Sequence, residues 1–155
     1  MNLKELDAIV FGAGPGSFTG LRTACAVAQG LGYAAQRMLL PVDSLLAVAE
    51  DARVQLANPD QPRHIQAALD ARMEEIYVGL DAYDGLQWTT AVQARLLRPE
   101  ALPLNPDWVL AGNVWAPYGS RLGGTGCQVQ HALPTAAALL RLAPALLAAG
   151  HAVTP

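Results

Sequence analysis

The sequence predicts an α/β fold, and three observations predict it. An apolar strand at residues 6–11 runs into a glycine-dense turn at 12–22, and an alanine-rich helix runs out of it. A second apolar strand and a second capped helix follow at once. From His64 the pattern changes to successive strands separated by turn residues.

The run Leu6-Asp7-Ala8-Ile9-Val10-Phe11 is almost continuously apolar, which suits a buried parallel strand. The next helix, expected from about Ser17 to Ala35, is apolar on nearly all sides and rich in Ala and Gly. Such a helix has to be covered on two faces, and its small residues permit close approach of another helix. Residues 38–42 form a second strand, and Asp43 or Ser44 caps a helix over 45–57. The strand–helix–strand–helix order implies a parallel, right-handed unit. Asn58-Pro59-Asp60-Gln61-Pro62 marks a loop, dividing the chain into parts 1–60 and 61–155. Strands are expected at 64–70, 75–82 and 89–97, with Asp84-Gly85 in the hairpin between the last two. Pro99 starts a short helix, 108–112 is a strand, 119–126 is a flexible turn and 128–131 a short strand. A helix over 134–149 closes the chain, with Pro144 bending it and Gly150 ending it. A meander followed by a strand–helix pattern is the order of an RNase H-like lobe.

Composition narrows the function classes. Of 155 residues 52% are hydrophobic and 15% charged, so a core is easy to build and a surface covered by a partner is expected. The net charge is -3 with no basic run, which argues against strong direct binding of nucleic acid. Cys25 and Cys127 lack CxxC spacing and read as free thiols of a reducing compartment. No apolar run reaches about 18 residues, the length a membrane span needs. A cytoplasmic protein is the expectation.

The glycine turn invites a nucleotide reading that its residues do not meet. A P-loop requires Gly, four residues, then Gly-Lys-Ser/Thr. Gly14 and Gly20 are one residue too far apart, and Leu21-Arg22-Thr23 follows without a lysine. A dinucleotide fingerprint fits Gly12 and Gly14 but meets Ser17 at its sixth position. Pro15 also removes an N–H that a phosphate would use. Ser17 is no hydrolase nucleophile by pattern, because Phe18 and Thr19 break the Gly-x-Ser-x-Gly elbow. Ordinary capping by Ser17 or Thr19 explains part of the turn. It does not explain Phe18 there, nor Arg22 in the first helical turn, where the helix dipole disfavours a cation and calls for a carboxylate, phosphate or carbonyl. His64, His131 and His151 stand at no metal-ligand spacing. Asp70, Arg72, Glu74 and Glu75 cluster at a turn; either Asp70 and Glu74 form an acid/base pair, or Arg72 simply pairs with a carboxylate.

Gly14-Pro15-Gly16-Ser17-Phe18-Thr19-Gly20-Leu21-Arg22 resembles the characteristic turn of the TsaB (YeaZ) family. The resemblance continues at Asp70-Ala71-Arg72-Met73-Glu74-Glu75-Ile76-Tyr77. It recurs more weakly at Leu110-Ala111-Gly112-Asn113 and Leu133-Pro134-Thr135-Ala136. The blocks fall in the family's order. The resemblance implies an actin-like ATPase (ASKHA, RNase H-like) fold with an incomplete first lobe and a second lobe. The family places a meander and a helix ahead of the turn, where this chain has only Met1-Asn2-Leu3-Lys4-Glu5, and a tail after the last helix. The chain therefore reads as truncated at both ends, with an uncovered strand edge at 6–11 and an uncovered helix face.

The family serves formation of threonylcarbamoyladenosine (t6A) in tRNA. The resemblance implies a non-catalytic subunit that binds TsaD, with the ATPase TsaE in a larger complex, a homodimer as another association, and tRNA touched only indirectly. No catalytic residue, metal or cofactor is expected. The turn Gly14–Gly20 is the candidate nucleotide contact, and Asp70, Arg72 and Glu74 are the cleft candidates. The expected partner face is Leu21, Ala24, Cys25, Ala28, Leu31 and Ala35, with Phe18 and Arg22 anchoring its start. The competing expectation is an ATP-binding transferase or a glycoprotease-like hydrolase that uses the cleft between lobes.

Overall fold

The computed structural model describes residues 2–124 and 126–155. Met1 lies outside the described residues, as does Thr125 within the turn expected at 119–126. Strand β1 (Ala8–Gly12) leads through the glycine turn into helix α1 (Phe18–Ala35), and α1 returns to β2 (Met38–Val42). β1 and β2 pair in parallel, Ala8 opposite Met38 through Gly12 opposite Val42. Helix α2 (Ser44–Gln55) follows. Its N-terminus is fixed by Asp43, whose Oδ1 accepts from the N–H groups of Leu45 (2.7 Å) and Leu46 (3.0 Å).

The rest of the chain builds a mixed five-stranded sheet. β3 (Arg63–Arg72), β4 (Glu75–Tyr83) and β5 (Trp88–Leu97) form an antiparallel meander. β6 (Val109–Gly112) then joins β3 in parallel, and β7 (Gln128–His131) joins β6, giving the order β5-β4-β3-β6-β7. Helix α4 (Ala136–Ala148), capped by Thr135 and with Pro144 inside it, is the last helix of the described residues, and beyond it Val153 pairs antiparallel with Leu39 of β2. One short helix, α3 (Trp115–Tyr118), was not expected; with Pro117 inside four residues it leaves no periodicity to read.

The two sheets share one interior because α2 lies between them. Leu45, Val48, Ala49 and Ala52 of α2 pack on Ile65 and Ala67 of β3 and Val109 of β6. Ala47 of the same helix packs with Leu40 and Val42 of β2 and with Ala138, Leu142 and Ala143 of α4. Each such fully buried Leu or Val contributes about 1.5–3 kcal/mol. The far face of the large sheet is covered by Leu102, Val114 and Leu122 over Ala68, Ile76, Val78 and Leu110.

Gly112 is required at the end of β6. Its φ is +136°, and a Cβ there would stand 1.8 Å from the Ala68 carbonyl oxygen. That explains the Gly of the Leu110–Asn113 block as packing between β6 and β3. Both cysteines are free and half-buried. No helix of the described residues is long and apolar enough to cross a membrane.

Candidate functional site

The four sequence blocks converge on one cleft of about 350 Å³. Pro15, Gly16, Ser17, Gly20, Leu21 and Ala24 line one side of it, Asp70 and Asn113 another, and Leu133 and Pro134 a third. The topology causes the convergence. The turn after β1, the ends of β3 and β6, and the residues after β7 all lie at one end of the two sheets.

The turn is held by its own backbone and by the start of α2. Ala13 donates to the Val42 carbonyl and Ser44 donates to the Gly14 carbonyl, each at 2.8 Å. Gly14 has φ +103° and precedes a cis peptide to Pro15, while Leu21 folds back against Gly14 and Gly16. Ser17 is the N-cap of α1, its Oγ accepting from Gly20 N–H at 3.2 Å. Of the two hydroxyls expected to cap, Ser17 does so; Thr19 is exposed and its carbonyl accepts from Thr23 Oγ1.

Asp70 is the one charged residue lining the cleft. Its Oδ1 accepts from Arg72 N–H and from the Tyr118 hydroxyl, both at 2.9 Å. Its own N–H donates to Asn113 Oδ1 at 2.9 Å. The bond to Asp70 holds the Tyr118 phenol above its ordinary pKa. Asn113 and Tyr118 are site residues that sequence reasoning missed. Asn113 was visible as part of a block, but nothing in the sequence ties Tyr118 to Asp70, 48 residues away.

Several expectations need correction. Of Asp70, Arg72 and Glu74, Asp70 alone lines the cleft, with the Arg72 N–H on its Oδ1. Arg72, Met73 and Glu74 all take left-handed backbone conformations, with φ of 68°, 50° and 61°, and none of the three lines the cleft. Glu74 pairs with Arg121 at 3.4 Å, and Arg121 pairs again with Glu100, so the arginine of this cluster is Arg121 rather than Arg72. Among the described residues Arg22 finds no carboxylate; its guanidinium lies 4.0 Å over the Phe18 ring, whose face attracts a cation.

The expected partner face of α1 is also corrected in part. Ala28 and Ala35 are 3% and 5% exposed, because α1 lays this side on its own two-stranded sheet. Leu21, Ala24 and Cys25 are half-buried on the same side. Phe18, Arg22 and Leu31 are exposed, and so are Val27 and Tyr33. The apolar composition of α1 concealed the orientation, since small residues occupy both its faces.

The cleft's chemistry is sparse. Ser17 is committed as a cap, and the lining includes no histidine, lysine or arginine beside it. Among the described residues, no three His, Cys, Asp or Glu side chains come together as metal ligands.

Comparison with known proteins adds identity to this geometry. The protein named "tRNA threonylcarbamoyladenosine biosynthesis protein TsaB" in Haemophilus influenzae is 33% identical over 92% of this chain. The Escherichia coli protein of the same name is 30% identical over 98% of this chain and 68% of its own length. The chain belongs to the TsaB family. A family model described as "TsaD: tRNA N6-adenosine threonylcarbamoyltransferase" also matches residues 1–107. The solved structure "YeaZ from Pseudomonas aeruginosa" superposes with a TM-score of 0.83 at 38% identity, covering 98% of this chain and 71% of that one. A second structure from that organism, described as similar to peptidase YEAZ, gives 0.84 at 37% identity and covers 97% of this chain and 70% of its own. The chain spans 64% of the Haemophilus TsaB relative's length.

Proposed function

We propose that this chain is a non-catalytic subunit for t6A modification of tRNA, and that it docks on TsaD through the solvent-facing arc of α1. One observation carries the reading: of the 18 residues of α1, only Ala28, Gly32 and Ala35 are buried. Phe18, Val27, Leu31 and Tyr33 are 69%, 55%, 38% and 81% exposed. Small residues, Thr19, Thr23, Ala26 and Gly30, lie between these larger flanks by helical spacing, a surface suited to close approach of a second helix. The names of the TsaB relatives supply the pathway, and the match to the TsaD family model supplies the kind of partner.

In this reading the chain is an incomplete first lobe, 1–60, and a second lobe, 61–155, of an actin-like (ASKHA, RNase H-like) fold. TsaE joins a larger complex, tRNA is reached only through TsaD, and a homodimer uses the same arc. The protein works in the cytoplasm. The cleft at Asp70 positions the start of α1 and does no chemistry of its own.

The test is co-purification of this chain with TsaD from the same organism, with light scattering of each alone and together. A one-to-one complex is expected. Val27→Asp and Tyr33→Ala should abolish it while leaving the unfolding midpoint unchanged, because both side chains face solvent in the free chain. A chain that stays alone, or forms only its own dimer, overturns the reading. Nucleotide discriminates the enzymatic alternative: ligand at about 100 times Kd stabilises a true site by about 2.7 kcal/mol. No such rise is expected here.

A further inference from the structure

We propose that a second cleft, between α2, α4 and the β4–β5 turn, binds an oxyanion carried on an apolar or aromatic group, and that Arg141 receives the charge. The cleft, of about 500 Å³, shares no lining residue with the one at Asp70. Leu46, Leu146 and Trp88 give it apolar walls, and Arg141 and His151 its polar rim.

Arg141 is held by a buried acid. Glu50 is 3% exposed, and its two oxygens accept four N–H groups. Arg53 provides Nε at 2.8 Å and Nη2 at 2.9 Å, Trp88 provides Nε1 at 3.0 Å, and Arg141 provides Nε at 2.9 Å. Burial alone raises the Glu50 carboxyl pKa; the bonds and charge of Arg53, with those of Trp88 and Arg141, outweigh it and hold the group below its ordinary value. A carboxylate has about four lone-pair sites, so Glu50 is saturated. Arg53 makes two of these four bonds and also lies 3.5 Å from the exposed Asp60 Oδ1.

Arg141 is a second guanidinium on this acid, attached to it through Nε alone. Among the described residues its Nη groups make no hydrogen bond. Arg–carboxylate pairs are frequently bidentate, as Arg53 is on Glu50 through Nε and Nη2, whereas Arg141 bonds Glu50 through Nε alone. Here the fork is left over, its direction set by the buried acid, in a cleft with apolar walls. That arrangement fits a carboxylate or phosphate whose apolar part lies against Trp88 and Leu146.

Trp88 supplies the readout, since its indole N–H is part of the hub and only three tryptophans are present. The 15N-labelled full chain is titrated with benzoate, phenyl phosphate and inorganic phosphate, following the Trp88 indole resonance assigned through Trp88→Phe. A saturable shift is expected with benzoate or phenyl phosphate, and the tighter of the two identifies the oxyanion. Phenyl phosphate binding no tighter than inorganic phosphate overturns the apolar part of the proposal. Arg141→Lys keeps the charge and loses the fork, so affinity should fall by at least about tenfold. Ala145→Glu leaves Arg141 in place but sets an exposed carboxylate four residues along α4, where it competes for the fork and should block the probe. No saturable shift with any probe, or unchanged affinity in both variants, overturns the site. Neither result bears on docking through α1.

Discussion

Helices α1 and α2 begin alike and end in opposite surroundings. Each follows a strand of the same parallel pair, and each is capped by a side chain, Ser17 for α1 and Asp43 for α2. Yet α2 buries seven of its 12 residues, while α1 buries three of 18. The difference comes from neighbours. α2 has the large sheet on one side and β2 with α4 on the other, so even Glu50 is enclosed. α1 lies mainly on the two-stranded sheet, with the turn at Leu3–Glu5 beside it, and leaves most of its surface to water or a partner. Strand–turn–helix sequence patterns decide that a helix forms and where it starts. How many layers cover it is decided by elements far along the chain.

A charge placed on each helix tests this most severely. Ala49 is fully buried between α2 and the large sheet, and Ala26 faces solvent on α1. Ala49→Asp should cost more than about 4 kcal/mol and prevent folding, because a carboxylate there has no partner. Ala26→Asp should cost less than about 1 kcal/mol, mostly helix propensity. Urea unfolding followed by circular dichroism separates them. Equal costs would mean that α1 is covered in the free chain and that the contrast is false.

The enclosed side of the molecule also holds a carboxylate that behaves oppositely to Glu50. Asp81 on β4 is 3% exposed, and among the described residues its carboxyl accepts one hydrogen bond, from the Thr90 hydroxyl at 2.8 Å. Burial pushes its pKa up to about 6, the Thr90 bond opposes this, and Asp43 at the start of α2 adds to the rise. The folded state therefore binds the Asp81 proton more tightly than the unfolded state. Its share of stability is lost as pH rises from about 4 to 6. Asp81→Asn removes that loss, so above pH 6 the variant should exceed the parent by about 2–3 kcal/mol, with the gap closing below pH 4. Glu50 slopes the other way, its stabilisation lost as pH falls. A gap between variant and parent that does not change with pH would show that Asp81 carries no such penalty.

Local chemistry was legible in the sequence; contacts between distant parts were not. The strands, the caps at Ser17 and Asp43 and the Asp84-Gly85 hairpin depend on neighbours within a few residues. The four blocks were visible too, but only the topology brings Asp70 and Asn113 under the turn at Ser17. Tyr118 reaches Asp70 across 48 residues, and Arg141 reaches Glu50 across 91. No periodicity records such pairs. The orientation of α1 failed for another reason: with Ala and Gly on every side, its sequence has no strong apolar stripe to identify the inward face.

Two glycines of α1 sharpen that last point at the smallest scale. Gly30 and Gly32 are two residues apart and so face nearly opposite directions. A Cβ at Gly30 meets nothing within 4 Å, whereas at Gly32 it stands 2.6 Å from Leu39 Cδ2 and 3.1 Å from the Arg37 carbonyl. Leu39 is 3% exposed and has little room to yield. Gly32→Ala should therefore destabilise by about 1–2 kcal/mol despite the gain in helix propensity. Gly30→Ala should stabilise by about 0.5–1 kcal/mol, since nothing opposes the propensity gain. In the proposed complex with TsaD the second sign should reverse. A methyl group at Gly30 then stands where a partner helix is proposed to approach, so a variant more stable alone should bind more weakly. Unchanged binding by Gly30→Ala would move the contact away from the middle of α1, toward Phe18 or Tyr33.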